Sequence, residues 1–191
     1  MNILLHICCA PCAIFPIEDL KRDGHKMVGF FYNPNIHPYS EYIRRRDALE
    51  KYAIEKAVSV IISDYDVEKY FEYVIYNESL DKRCPVCWWL RIERAAIFAK
   101  ENGFDAFTTT LLGSPYQNHD MLKKICEDMA EKVGIKFYYK DFRTGFKPAY
   151  DFAKAKGIYC QNYCGCLFSE KERIERKLKK PESRSAGPEI K

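Results

Sequence analysis

The chain has no glycine-rich phosphate loop. Neither GxGxxG nor GxxxxGK[ST] occurs in its 191 residues, so the usual signatures of dinucleotide and nucleoside-triphosphate binding are missing. It also lacks any apolar run near the roughly 20 residues that a membrane-spanning helix needs. The opening residues MNILLHICCA carry neither a basic leader nor a cleavage site. These absences predict a cytoplasmic protein with no membrane partner. A large excess of charge of one sign is missing as well. The net charge of +4 permits a nucleic-acid partner without demanding one. There is no internal repeat, and the CxxxCxxC spacing of radical-SAM chemistry does not occur.

Thiols, by contrast, are plentiful. Nine cysteines in a reducing compartment argue against structural disulfides and for metal or redox chemistry. Apolar residues make up 47% and aromatics 15% of the chain, a composition that folds. The length suits a single catalytic domain, read as residues 1–180, with a disordered tail at 181–191.

Residues 3–7, 27–33, 58–63, 105–112 and 135–142 read as strands from their apolar and β-branched runs. Residues 15–21, 40–56, 66–77, 84–103 and 118–134 read as helices. Pro85 suits the first turn of the fourth of these and Gly103 its end. A charged helix follows from Ser169, with a capping box of Ser169 and Glu172 and pairs Glu172–Arg176 and Glu175–Lys179. This alternation predicts an α/β three-layer sandwich with a doubly wound, mainly parallel five-stranded sheet. In such folds ligands bind beyond the carboxyl ends of the strands. The stretch HICCAPC (6–12) occupies the first of those loops, where a nucleotide-binding protein carries glycines.

Eight cysteines fall into three clusters: Cys8, Cys9 and Cys12; Cys84 and Cys87; Cys160, Cys164 and Cys166. If CPVC opens a helix, the free N–H groups there favour thiolates. CxxC and CxC groups from separate segments indicate a metal site, and by count a [4Fe–4S] cluster and a structural zinc fit equally well. CAPC also has the thioredoxin form, but a thioredoxin needs neither the adjacent Cys8 nor the later clusters. Cys126, in KKICEDM, reads as a small apolar residue. Three functions follow: an iron–sulfur enzyme, a zinc-stabilised RNA-binding module without redox chemistry, and a thiol–disulfide oxidoreductase.

The motifs HICCAPC, FYNPNIHPYSEYIRR, RCPVC, FTTTLLGSPYQNHD and YCGC, in this order over about residues 3–170, resemble the cobalamin-independent epoxyqueuosine reductases, the QueH family. The resemblance implies reduction of epoxyqueuosine to queuosine at the wobble position of tRNA, the last step of that modification. It implies a fold like the nucleotide-binding (HUP-like) α/β domains of tRNA-thiolating enzymes. It also implies a [4Fe–4S] cluster, leaves room for a second, mononuclear iron, and requires an external electron donor. Carried over, the cluster falls to Cys8, Cys9, Cys84 and Cys87. Cys164 and Cys166 then form a redox-active pair or join Cys12 around a second metal. Cys160 stands where the family usually has Arg and is left out of the site.

Opening an epoxide to an alkene takes two electrons, two protons and loss of water. Proton donors are sought in NPNIHP and SPYQNHD: His37 and Tyr116, then His119. Each has a plainer reading, His37 as a turn residue above all. Asn33, Asn35, Gln117 and Asn118 are assigned to the substrate, with helix capping the alternative for Asn118. RNA also needs cations and stacking surface. Arg83 and Arg91 flank CPVC, and Trp88 is expected free to stack while Trp89 packs in the core. Arg44, Arg45 and Arg46, Lys82 and Arg94, and Arg173, Arg176, Lys177, Lys179 and Lys180 near the C-terminus supply further positive charge.

Overall fold

The computed structural model describes residues 1–179. The expected tail at 181–191, and Lys180 before it, lie outside the described residues. Strand β1 (Asn2–His6) leads through helix α1 (Ala10–Arg22), β2 (Lys26–Phe31) and α2 (Tyr39–Glu55) to β3 (Val60–Ile62). The chain then returns through α3 (Val67–Val74) and α4 (Leu80–Glu101) to β4 (Ala106–Thr109), α5 (His119–Val133) and β5 (Lys136–Phe137). Two helices follow, α6 (Phe146–Ala155) and α7 (Leu167–Leu178).

The five strands form one sheet in the order β3-β2-β1-β4-β5, and every pairing is parallel. Helices cover both faces, so the middle of the sheet is apolar on both sides, as in Ile3–Leu5 of β1. Leu4 points into a core with Trp88, Ile92, Ala96, Phe107 and Leu122. Its neighbours Ile3, Leu5 and Ile7 point into the opposite core with Ala13, Ile17, Leu49 and Ala153. One face therefore carries α3, α4 and α5, and the other α1, α2 and α6. The predicted three-layer, doubly wound architecture is present. The chain winds outward from β1 to β3, then resumes on the far side of β1 at β4. This places the topological switch point between β1 and β4.

Several boundaries differ from the sequence expectations. α1 begins at Ala10 rather than near residue 15, because Cys9 is extended (φ −171°, ψ 164°) and Pro11 lies in the first turn, where its missing N–H costs nothing. α4 begins at Leu80, one turn before CPVC, so Pro85 is inside the helix. The fifth strand pairs only over Lys136–Phe137. Beyond it Lys140 turns away to meet Asp19 and Asp23, both at 2.5 Å. Helix α6 was not expected. Its Ala149 and Ala153 face the core, and Gly145 just before it leaves room for Phe15. A Cβ there would stand 1.8 Å from the Phe15 ring. α7 is capped by Cys166, not Ser169, whose hydroxyl donates to the Cys166 carbonyl at 2.7 Å. Glu172 pairs with Arg83 instead of Arg176, and Glu175 with Lys171 instead of Lys179. Among the described residues no helix is long and apolar enough to cross a membrane.

Candidate metal centre and active site

The loop after β1 delivers three thiols. Cys8 follows the strand, Cys9 caps α1, and Cys12 sits in its first turn. The three sulfurs lie within 4.8 Å of one another, with Cys8 and Cys9 3.8 Å apart. The loop after β4 closes on them from across the switch point. The Thr110 hydroxyl accepts from the Cys8 backbone N–H at 3.2 Å and donates to its sulfur at 3.4 Å. Hydrogen bonds from Cys12, Cys9 and Thr110 hold the Cys8 thiol well below its ordinary range. Burial pushes Cys9 up, and donation toward Cys8 pushes Cys12 up. The trio thus favours a single thiolate shared through its neighbours, which is a donor set for a soft metal.

Cys84, Cys87, Cys164 and Cys166 form a second neighbourhood, each within electrostatic reach of the others. Cys164 also feels Cys8, which links the two groups. The four expected cluster ligands, Cys8, Cys9, Cys84 and Cys87, thus fall in two linked groups. Cys12 joins Cys8 and Cys9, and the CPVC pair sits with the CxC pair. The expected help from a helix N-terminus is corrected. Because α4 starts earlier, Cys84 and Cys87 lie beyond its first turn, and burial pushes their thiols up to about 11 and about 12.

The CxC loop is fastened from two sides. Gly165 adopts φ +146°, and a Cβ there would meet Asn35 Nδ2 at 2.9 Å. Its carbonyl accepts from the His37 N–H at 2.9 Å. Arg45 lies buried beneath, donating from Nε to Glu41 at 2.8 Å, from Nη1 to the Cys164 carbonyl at 2.9 Å and from Nη2 to the Tyr163 carbonyl at 3.0 Å. Sequence reading took Arg45 for part of a basic surface run. Its spacing with Tyr42, Leu49 and Tyr52, all buried on α2, was the signal that it faces inward. Gln161 also went unnoticed. Its Nε2 donates to Cys9 Sγ at 2.9 Å and approaches Cys12 Sγ at 3.8 Å, and nothing in the sequence marks it. His6, buried under the trio, donates from Nε2 to the Tyr32 carbonyl at 3.1 Å and accepts from Thr109 at 2.8 Å.

The other assigned residues divide. His37 is buried and both ring nitrogens are engaged: Nε2 donates to the Pro34 carbonyl at 3.1 Å, and Nδ1 accepts from Leu167 at 3.4 Å. Burial lowers its pKa, and both ring nitrogens are used to organise the loop. Asn33 donates to the Ile7 carbonyl at 2.8 Å, and the side-chain oxygens of Asn33 and Asn35 are buried without partners. Asn118 caps α5, accepting from Met121 at 3.1 Å. His119, in the first turn of α5, meets Tyr139 at 3.1 Å rather than a cysteine. Gln117 Nε2 does reach Cys164 Sγ, at 3.9 Å, and Tyr116 beside it is 86% exposed. Arg83 pairs with Glu172 at 2.5 Å, and Arg91 is buried and donates to the Cys87 carbonyl at 3.1 Å. Neither is a free surface cation. The two tryptophans are exchanged. Trp88 is 5% exposed in the core, whereas Trp89 is partly buried, with its ring against Tyr73 and under Lys132. Cys126 is a buried core residue, as expected, and Cys160 donates to the Ile158 carbonyl at 3.4 Å.

Residues 3–172 match the family model described as "Epoxyqueuosine reductase QueH". Relatives carrying that name include one from Thermotoga maritima, 40% identical over 92% of this chain and 93% of its own. Another, from Dehalococcoides mccartyi, is 34% identical over 91% and 94%. A third, from Helicobacter pylori, is 35% identical over 94% of this chain and 52% of the longer relative. Among solved structures, a predicted subunit of a tRNA methyltransferase from Methanocaldococcus jannaschii superposes with a TM-score of 0.51 at 14% identity, covering 80% of this chain and 74% of its own. That likeness concerns the fold.

Proposed function

This chain belongs to the epoxyqueuosine reductase QueH family, and we propose that it reduces epoxyqueuosine to queuosine at the wobble position of tRNA in the cytoplasm. The observation that carries the reading is the gathering of seven thiols, from three segments, at the carboxyl edge of the sheet. A reducing compartment keeps such thiols free. The donor set fits an iron–sulfur group. Cys8, Cys9 and Cys12 are one cluster of soft ligands, and Cys84, Cys87, Cys164 and Cys166 are another. Four thiolates suffice for a [4Fe–4S] cluster, and the three beyond that number give capacity for a second iron. When bound, such a group supplies electrons one at a time and a Lewis acid.

The protein's own residues supply the rest. Epoxide, two electrons and two protons give alkene and water. Two thiols going to a disulfide release two electrons and two protons, so Cys164 and Cys166, as a pair outside the metal group rather than ligands of a second iron, balance the reaction on oxidation. An external donor then restores the dithiol. Cys164 is exposed and Cys166 buried, so the pair spans the boundary between substrate and interior. Tyr116, whose exposed ring stands edge-to-face with Phe146 beside Gln117, is assigned to the base, by stacking or by proton donation.

Anaerobically purified protein should be brown and carry at least four irons per chain. With a reductant it should remove one oxygen from epoxyqueuosine in tRNA, read by nucleoside mass spectrometry. A colourless protein that carries zinc alone and leaves the base unchanged would replace this reading with the zinc-stabilised RNA-binding module.

A further inference from the structure

Among the described residues three arginines are buried: Arg45, Arg83 and Arg91. Two have carboxylate partners, Arg45 with Glu41 at 2.8 Å and Arg83 with Glu172 at 2.5 Å. Arg91 is 2% exposed and, among the described residues, pairs with no carboxylate; the thiols of Cys87, Cys164 and Cys8 lie within its electrostatic reach. Its Nε donates to the Cys87 carbonyl at 3.1 Å, while Nη2 is buried with no hydrogen-bond partner. A guanidinium cannot shed its proton in a protein, and leaving it uncompensated in the interior is costly. The groups able to supply the missing negative charge are the thiols, which become thiolates on metal ligation and belong to both groups of the centre.

We propose that Arg91 is the built-in counter-cation of the thiol centre, a positioning residue that favours an anionic metal–thiolate group there and eases its reduction. The inference rests on the metal-binding part of the function proposed above. Metal ligation fixes several thiolates in one small volume, and Arg91 offsets their repulsion. Each added electron makes the centre more negative, so the same cation favours the reduced form. Burial also separates Arg91 from an RNA-binding role, since a guanidinium on a residue 2% exposed is out of a phosphate's reach.

The test uses the metal-free full chain and Co(II) as the probe, read by thiolate-to-cobalt absorption under competition with a chelator. Arg91→Gln and Arg91→Met should each weaken cobalt binding at least tenfold. Arg91→Lys, which keeps the charge, should stay within about threefold, and Lys100→Gln, on the same helix, should match wild type. Metal-free Arg91→Met should unfold at the same or higher denaturant than wild type, because an uncompensated buried cation has gone. A merely structural arginine would lower that midpoint. In iron–sulfur-loaded protein Arg91→Gln should shift the one-electron midpoint potential negative by about 59 mV or more, a tenfold change in the redox ratio. If wild type binds cobalt and Arg91→Gln binds it equally well, with an unmoved potential, the inference fails and the metal site stands. If wild type takes up neither cobalt nor iron, the metal-binding reading itself fails. Should Arg91→Gln and Arg91→Met not fold, the comparison of Arg91→Lys with wild type decides: a loss beyond tenfold with the charge retained overturns the proposal.

Discussion

Arg45→Met should destabilise the metal-free protein by about 4 kcal/mol and loosen the CxC loop. Arg45 and Glu41 are both buried, 1% and 0% exposed. Removing one member of a buried pair typically costs about 3–5 kcal/mol, because the other charge stays behind. Here Glu41 keeps Arg44 at 3.0 Å and the Tyr159 hydroxyl at 2.6 Å, which puts the cost near the lower end, about 3 kcal/mol. The carbonyls of Tyr163 and Cys164 also lose their donors. Water reaches that exposed loop, so this adds only about 1 kcal/mol. The double variant Arg45→Met, Glu41→Met separates the two contributions. It removes the orphaned carboxylate and should recover about 3 kcal/mol, while the loop stays untethered. Urea unfolding followed by circular dichroism, anaerobically and with chelator, measures the stabilities. The rate of Cys164 modification by a thiol reagent reports the loop and should rise in both variants. A single variant costing under about 1 kcal/mol, or a double variant no more stable than the single, would refute the reasoning.

Gly145→Ala should cost upward of about 1–3 kcal/mol from overpacking against Phe15; Phe15→Leu should recover much of it, and equal melting temperatures for wild type and Gly145→Ala would contradict the placement of α6. His6 gives a pH dependence: burial and the nearby Arg91 lower its pKa from 6.5 to about 4. The unfolded chain therefore takes up a proton first, so stability is complete above pH 6.5 and falls toward pH 4. At pH 5 the loss is about 2 kcal/mol, and His6→Gln should flatten that slope in metal-free denaturation between pH 7 and pH 5. Cys84→Ala should lose bound iron and reductase activity together, whereas Cys126→Ala should keep both; the same iron content in the two variants would undo the partition of the cysteines.

Much of the architecture was legible because parallel strands buried on both faces leave continuous apolar runs, and four of the five runs stand close to their expected places. Boundaries were harder where one strong local signal competed with packing. Pro85 and the CPVC motif marked a plausible helix start, yet the core contacts of α4 extend past it and carry the helix back to Leu80. The tryptophans were exchanged for a related reason. Positions 89, 92, 96 and 99 share a face, but Trp88, Ile92, Ala95, Ala96 and Ala99 follow the buried spacing more closely. Thiol chemistry was visible because cysteines cluster in the chain. Its cations were not, because an arginine in a helix reads as solvated until the partners that bury it are known.

The strand order explains why three remote cysteine segments meet. In a right-handed β-α-β crossover each helix runs back against its strands, so helix N-termini gather at the carboxyl edge of the sheet. α1 and α4 both obey this, which brings Cys9 and Cys12 to the same edge as Cys84 and Cys87 without further device. The third segment has no such guarantee, since among the described residues no strand follows β5. It depends on α6, which lines the α1 side of the sheet through Ala149 and Ala153. Beyond α6 the chain is then anchored by Tyr159 to Glu41, by Gln161 to Cys9 and by Arg45 to the carbonyls of Tyr163 and Cys164. The CxC motif is thus the part of the site held by side chains rather than by the sheet. Small changes around Glu41, Arg45 and Gly145 should therefore disturb Cys164 and Cys166 before they disturb Cys8, Cys9 or Cys12. Thiol-modification rates measured cysteine by cysteine in the Gly145→Ala protein would show that order.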